Sequence, residues 1–331
     1  GRAPTSDRVL LGGVAHRVLL RGVMLTVPSP PTPKAVKTDS GERLRVDTDR
    51  ARDTPMLALG TILDGAYELR SLLGSGGMAQ VFDAHDGKLD RRVAVKVARP
   101  EMAEALRAEG RALAAVRHSS VVAVFHAGVH SGASYLVLEH IAGSSLRNRL
   151  DGLWREGTLL PIDAVLTLFG AVAQALSVVH EAGLSHRDLK PENVMLAPRD
   201  RIVLMDFGLM RPEFFGSDEF VSGSPNYMAP EVIARNVRRG EGHLVDLYAL
   251  GVLAYELLVG RTPFEHEQWR ETLRGHLATA PVDPREHRPD VPSAVAQLVL
   301  ALLAKRPHDR PESAELIAWS LRGAPSRACP R

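Results

Sequence analysis

The chain has 331 residues, 45% hydrophobic and 24% charged, with a formal net charge of +2 and no long run of one sign. That balance fits one two-lobed globular unit with a tail and argues against nucleic acid or a membrane surface as the main partner. Cys329 is the single cysteine, so no internal disulfide and no thiolate metal site can form, and a reducing, cytoplasmic setting is expected.

Residues 1–59 read as a disordered tail. Pro28, Pro30, Pro31 and Pro33 form a proline-rich stretch, and charged residues follow without a period. The apolar run at 9–27 is interrupted by His16, Arg17 and Arg21, which argues against a membrane span. Met24 and Met56 are candidate start positions. From Gly60 the pattern changes. Segments 67–73 and 80–85 read as strands around a glycine-rich turn. Segment 93–97 is a third strand, with Val93, Val95 and Val97 on one face and Ala94 and Lys96 on the other. A helix is predicted over 101–117, then strands at 121–126 and 135–140. After Gly143 the chain becomes mainly helical, with long patterns at 162–180 and 246–259. Strands followed by helices give an α+β class in two lobes, 60–141 and 142–323, with a short tail at 324–331.

Three places carry chemistry. The turn Leu73-Gly74-Ser75-Gly76-Gly77-Met78-Ala79-Gln80-Val81 could let backbone N–H groups approach phosphate oxygens, although glycine turns between strands are also common hairpins. Lys96 sits in an apolar strand and needs a charge partner unless it points outward at an edge. In the next helix Met102, Leu106, Glu109, Leu113 and Val116 form one stripe, which puts Glu109 among apolar neighbours. An ion pair between Lys96 and Glu109 would satisfy both groups; a Glu109 that snorkels to solvent is the alternative. Finally, His186-Arg187-Asp188-Leu189-Lys190-Pro191-Glu192-Asn193 is followed, 13 residues after Asn193, by Asp206-Phe207-Gly208. Acids, a lysine and an asparagine so spaced suit the holding of a metal nucleotide and the orienting of a hydroxyl. Only six of the 41 basic Lys and Arg residues are lysine, and two of the six are Lys96 and Lys190, where a compact ammonium serves better than a guanidinium fork.

On these motifs, residues 67 to about 322 resemble a protein kinase domain, similar to the eukaryotic-like Ser/Thr kinases of bacteria. The resemblance implies a small antiparallel β-rich N-lobe with one key helix, and a larger, mainly helical C-lobe. It implies that Asp188 accepts or orients the proton of an acceptor hydroxyl, that Lys190 neutralises the transferred phosphate, and that Asn193 and Asp206 hold two Mg2+ ions. ATP would lie against Leu73, Gly74, Ser75, Gly76, Gly77, Met78, Ala79, Val81, Ala94 and Lys96, with Glu109 pairing Lys96. Backbone groups of Glu139 and Ile141 would meet adenine, and Leu138 would limit the pocket behind it. The third glycine of the family's loop is Ala79 here, a mild departure. His186 and Phe207 would pack with Leu113 to link the lobes.

Lysine two residues after Asp188 and the loop Gly223-Ser224-Pro225-Asn226-Tyr227 resemble the Ser/Thr branch, so the implied partner is a protein presenting Ser or Thr. In that loop Ser224 stands where the family has Thr and would contact Asp188 and Lys190. The resemblance also pairs Glu231 with Arg310, and it has Asp246 bonding the backbone of the catalytic loop; from the sequence, Asp246 reads equally well as the N-cap of the helix it opens. Arg187 would meet either a phosphate on Ser217 or Ser222, or the carboxylates of Asp218 and Glu219. Two other functions stay open beside an active protein kinase: a catalytically silent scaffold, and a small-molecule phosphotransferase with a kinase-like fold.

Overall fold

The computed structural model describes residues 15–20, 23–28, 56–207 and 224–321, the first two stretches as backbone only. Part of the segment read as a tail is regular. β1 (Ala15–Leu20) and β2 (Val23–Pro28) pair antiparallel, with Leu20 opposite Val23. This corrects the tail expectation over 15–28. Charges that break an apolar run count against a membrane span but not against a hairpin, where alternate side chains face opposite sides. The hairpin lies beside the C-lobe helices α8 (Ser293–Leu302) and α9 (Ala314–Leu321). At the other end of the tail, Met56 and Leu57 pack onto the N-lobe core and the Gly60 N–H donates to Leu69 O at 2.7 Å. Met56 to Leu59, read as the end of the tail, thus include residues that belong to the N-lobe core. Residues 322–331 lie outside the described residues.

The N-lobe is a six-stranded antiparallel sheet in the order β3-β4-β5-β6-β8-β7: β3 (Ile62–Leu63), β4 (Tyr67–Ser75), β5 (Ala79–Asp86), β6 (Arg91–Ala98), β7 (Val124–His130) and β8 (Ala133–Glu139). The two-residue period assigns its faces. Phe82, Ala84, Val93, Val95, Val97 and Val137 are buried together on the outer face, which leaves Val81, Ala94 and Lys96 on the inner one. Helix α1 (Ala103–Ala114) crosses near the sheet at Gly110, where an added Cβ would come within 2.7 Å of Leu136 Cδ2. Glycine is needed there for close approach. α1 stops at Ala114, short of the predicted 117. The strand predicted at 121–126 begins at Val124, because Val121 and Val122 instead meet Leu204 and join the C-lobe core.

The C-lobe is built on α2 (Leu146–Arg155), α3 (Ile162–Glu181), α4 (Pro230–Ile233), α5 (Gly242–Val259), α6 (Trp269–Ala278), α7 (Pro284–His287), α8 and α9. The short strands β9 (Ser144–Ser145), β10 (Val194–Ala197) and β11 (Arg201–Leu204) lie at the cleft. α3 and α5 are long and apolar enough to cross a membrane, but α5 is 89% buried inside the protein and α3 packs against α5 and α9. α5 is a core helix, apolar on most sides because it is surrounded, and α3 is half buried against it. α5 starts at Gly242, so Asp246 lies in its second turn and is not an N-cap.

The Glu231–Arg310 pair is present, at 2.6 and 2.8 Å, with Arg310 also donating to Leu244 O and Ala304 O. Both partners are buried. Removing one leaves an uncompensated buried charge, so Arg310→Met is expected to cost about 3–5 kcal/mol in urea unfolding. A loss below ~1 kcal/mol would mean that the pair is not a structural anchor. Deleting residues 1–55 is expected to lower the melting temperature by no more than about 2–4 °C, roughly 1 kcal/mol for a domain of this size. Among residues with described side chains, both cores are assembled from Met56 onward. A fall of ten degrees or more (several kcal/mol) would give the hairpin a structural role on α8.

Candidate active site

The cleft between the sheet and the helices collects the residues singled out from sequence. Lys96, on the inner face of β6, places its Nζ 2.8 Å from both carboxylate oxygens of Glu109 and 3.1 Å from Asp206 Oδ1. Glu109 is buried on α1 between Leu106 and Leu113, as its place in the apolar stripe requires. Burial works against the Lys96 charge, but Asp206 and Glu109 outweigh it and hold the ammonium above the ordinary lysine range. Burial pushes the Glu109 carboxyl up, with Lys96 opposing. Asp206 is held below the ordinary carboxylate range, its burial being outweighed by Lys96. One ammonium thus ties the sheet, the N-lobe helix and the Asp206 turn together.

Across the cleft, Lys190 Nζ lies 2.8 Å from Asp188 Oδ2, and Asn193 Nδ2 donates to Asp188 O at 2.7 Å and to Asp188 Oδ2 at 2.9 Å. A backbone carbonyl can only accept, so the Asn193 amide nitrogen must face Asp188 and its oxygen is turned the other way. Asn193 Oδ1 and the Asp206 carboxylate then form a pair of hard oxygen donors. Oxygens of this kind could hold a divalent cation that takes its remaining ligands from phosphate and water. Among the described residues no cluster of three or more His, Cys, Asp or Glu could hold a metal without such help.

The catalytic loop is held from below. Asp246, fully buried, accepts from His186 N at 2.8 Å and Arg187 N at 2.6 Å, and its Oδ2 is 2.8 Å from His180 Nε2. Arg187 has φ +64° and Asp206 φ +52°, left-handed conformations that non-glycine residues avoid. Such strain persists only where surrounding bonds over-determine it. For Arg187 the Asp246 carboxylate supplies one of those bonds. His186 is fully buried and stacks on Phe207 with ring centroids 4.7 Å apart. Burial lowers its pKa, so the imidazole is neutral, with Nε2 donating to Met205 O at 2.9 Å and Nδ1 accepting from Asp188 N at 3.3 Å.

The glycine turn joins β4 to β5, with Gly76 N donating to Ala79 O at 2.9 Å. Neither Gly74 nor Gly77 has a positive φ, and a Cβ at either would meet open space. Turn geometry and protein packing therefore do not require these two glycines, which leave the backbone bare where a phosphate could approach. Leu73 and Met78 are exposed along the same turn, and Ser75, the last residue of β4, lies at its root opposite Gln80. Val81 pairs with Lys96, so Val81, Ala94 and Lys96 line one wall below the turn. At the back Leu138 is buried. Ile141 is also buried, and β8 ends at Glu139, whose N–H is already taken by Ala123 O at 2.8 Å.

Not every expected contact is made. Ser224 lines a recess of about 40 Å3 together with Asp188 and Tyr227, but among the described residues no hydrogen bond joins Ser224 to Asp188 or Lys190. It starts the short 3-10 turn Pro225–Tyr227, where its carbonyl accepts from Tyr227 N. Gly208, Ser217, Asp218, Glu219 and Ser222 lie outside the described residues.

Sequence reasoning also missed two groups. Arg201, on β11, grips the Glu139 carboxylate at 2.7 and 2.9 Å and donates to Ser119 O at 2.7 Å, tying the lobe junction to the C-lobe. Nothing in a sequence pairs two residues 62 positions apart. Arg147, on α2, bonds Glu256 Oε1 at 2.9 Å, Tyr227 OH at 3.0 Å and Glu192 Oε1 at 3.1 Å, while Tyr227 OH donates to Glu256. Glu256 was detectable. It is a carboxylate among apolar neighbours in the second half of α5, the same kind of signal that exposed Glu109.

The protein kinase domain family model matches residues 67–320. The chain is 35% identical over 288 residues to serine/threonine-protein kinase PksC of Streptomyces coelicolor, covering 80% of this chain and 51% of that protein. It is 38% identical over 277 residues to the DNA damage-responsive serine/threonine-protein kinase RqkA of Deinococcus radiodurans, covering 80% and 41%. The chain thus spans about half the length, or less, of these curated relatives. The crystal structure of the Mycobacterium tuberculosis PknI kinase domain matches with a TM-score of 0.63 and 27% identity, over 81% of this chain and 98% of that one.

Proposed function

Because the chain belongs to the protein kinase domain family, we propose that it is an active serine/threonine protein kinase that uses ATP and Mg2+. The observation that carries this reading is the assembled cleft: Lys96 bridges Glu109 and Asp206 from above, while Lys190 and Asn193 converge on Asp188 from below. Every charged group that such a transfer needs is present and paired, which a silent scaffold does not require.

Phosphoryl transfer needs charge neutralisation and alignment more than covalent participation by the protein. Lys96 is placed to bind the α and β phosphates while Glu109 fixes its position. Asp188 accepts the proton of a Ser or Thr hydroxyl as its oxygen bonds the γ-phosphorus and the bond to the ADP oxygen breaks. Lys190, beside Asp188, offsets charge on the group in flight. Asn193 and Asp206 would hold Mg2+, which neutralises phosphate charge. The acceptor platform, from Ser224 to Tyr227, is fixed by Arg147 and Glu256 from below. A dependence on ATP favours the cytoplasm as the place of work.

The test is incubation of the purified chain with Mg2+ and labelled ATP, offered a generic basic protein and a panel of small hydroxylated metabolites, followed by phosphosite mapping. Phosphoserine or phosphothreonine on protein, dependent on Mg2+, is the expected result. Transfer to metabolites alone, or no transfer, overturns it.

A further inference from the structure

The outer face of the sheet carries one polar residue with no part in the cleft. Gln80 follows the glycine turn and points, with Phe82 and Ala84, to the face away from Lys96. Its exposure is zero. A buried carboxamide is costly unless its donors and acceptor are met. Gln80 Oε1 accepts from the backbone N–H of Met56 at 2.7 Å, and Gln80 Nε2 donates to Ser75 Oγ at 3.2 Å. A backbone N–H can only donate, which fixes the orientation of the amide. Ser75 ends β4 at the root of the glycine turn, directly opposite Gln80, and Met56 is where the described chain enters the N-lobe, its side chain packed with Leu57 on the outer core.

Resting on the kinase reading above, we propose that Gln80 is a positioning residue for the nucleotide: it fixes the phosphate-covering turn, through Ser75, to the chain segment entering at Met56. The tip of the turn is held by Arg99, whose Nε donates to Gly76 O at 3.2 Å and whose backbone N–H donates to Met78 O at 3.0 Å, but Gly74 and Gly77 offer no side chain that could pack its β4 side down. A bond from the buried face to Ser75 holds the β4 root of the turn before ATP arrives, lowering the ordering cost of binding. Gln80 faces away from the nucleotide, so its effect passes through the turn and not through contact.

The test measures Mg-ATP affinity, with KM and kcat for ATP and for a peptide acceptor, in variants of the 331-residue chain. Gln80→Leu, Ser75→Ala and Met56→Pro (which removes the N–H) are expected to raise KM for ATP by about three- to tenfold, with kcat and acceptor KM within about twofold. Met56→Ala keeps the N–H and is expected to leave KM for ATP unchanged. Gln80→Leu combined with Ser75→Ala is expected to be no worse than the poorer single variant. Ser75 is exposed, so Ser75→Ala stays folded and informative even if the core variants do not. An unchanged KM for ATP in Ser75→Ala, or parallel changes in both KM values and kcat, overturns the proposal. If the unaltered chain itself binds no Mg-ATP, the kinase reading falls, and this inference with it.

Discussion

Asp188→Asn is expected to give a folded protein that still binds ATP but transfers phosphate on the order of 10²–10⁴ times more slowly. The fold should survive because the loop is not anchored by the Asp188 carboxylate. Its backbone is held by Asp246 at His186 and Arg187, and its far end by the bond from Met205 N to Asn193 O. Asparagine can still accept from Lys190 and Asn193, so the local geometry has little reason to move. What it lacks is a basic oxygen for the acceptor hydroxyl proton. Thermal unfolding, ATP binding and initial rates measured on one preparation separate these effects. Turnover within threefold of the parent would sink the assigned role. So would a loss of ATP binding equal to the loss of rate, because the residue would then act on binding and not on transfer.

The Asp188 loop, the Asp206 turn and the glycine turn were legible as contiguous motifs, whereas Glu109 and Lys96 were legible as local conflicts. Glu109 stands out because a carboxylate contradicts its apolar stripe, and Lys96 because an ammonium contradicts its strand. Glu256 contradicts α5 in the same way, and its partner Arg147 lies on another helix more than a hundred positions away. The start of α5 is misleading for a related reason. An aspartate before an apolar run resembles a cap, whereas the real first turn, Gly242 to Val245, carries no capping side chain at all. Arg201 and Gln80 were not legible. Each satisfies a partner brought near only by the fold: Glu139 for Arg201, the Met56 N–H for Gln80. Composition misled at 15–28, where strand pairing needs only a facing partner and not an uninterrupted apolar run.

Lys96 also allows a sharper expectation than loss of activity. Lys96→Met strands two carboxylates at once, Glu109 and Asp206, whereas Glu109→Gln leaves Lys96 with Asp206 at 3.1 Å. Lys96→Met is therefore expected to be the more destabilising, by about 1–3 kcal/mol, and to cut phosphoryl transfer on the order of 10²-fold. The double variant should be less unstable than the two singles added together, because a neutral amide in place of the Glu109 carboxylate no longer needs the lost ammonium. pH supplies an independent check. Burial raises the Glu109 pKa and Lys96 is what opposes it. Without Lys96 the folded-state pKa moves further above the unfolded value, so the folded protein binds more protons than the unfolded one between the two. Stability of Lys96→Met should then be greatest below the unfolded carboxylate pKa and fall as pH rises through the folded one. Lys96→Met with Glu109→Gln should lose the Glu109 part of that slope, the remainder belonging to Asp206, which Lys96 also holds ionised. Urea unfolding at pH 5 and pH 8 (conditions chosen to bracket about neutral pH) reads the difference. Strict additivity, or a Lys96→Met variant equally stable at both values, would show that Glu109 does not depend on Lys96 for its charge.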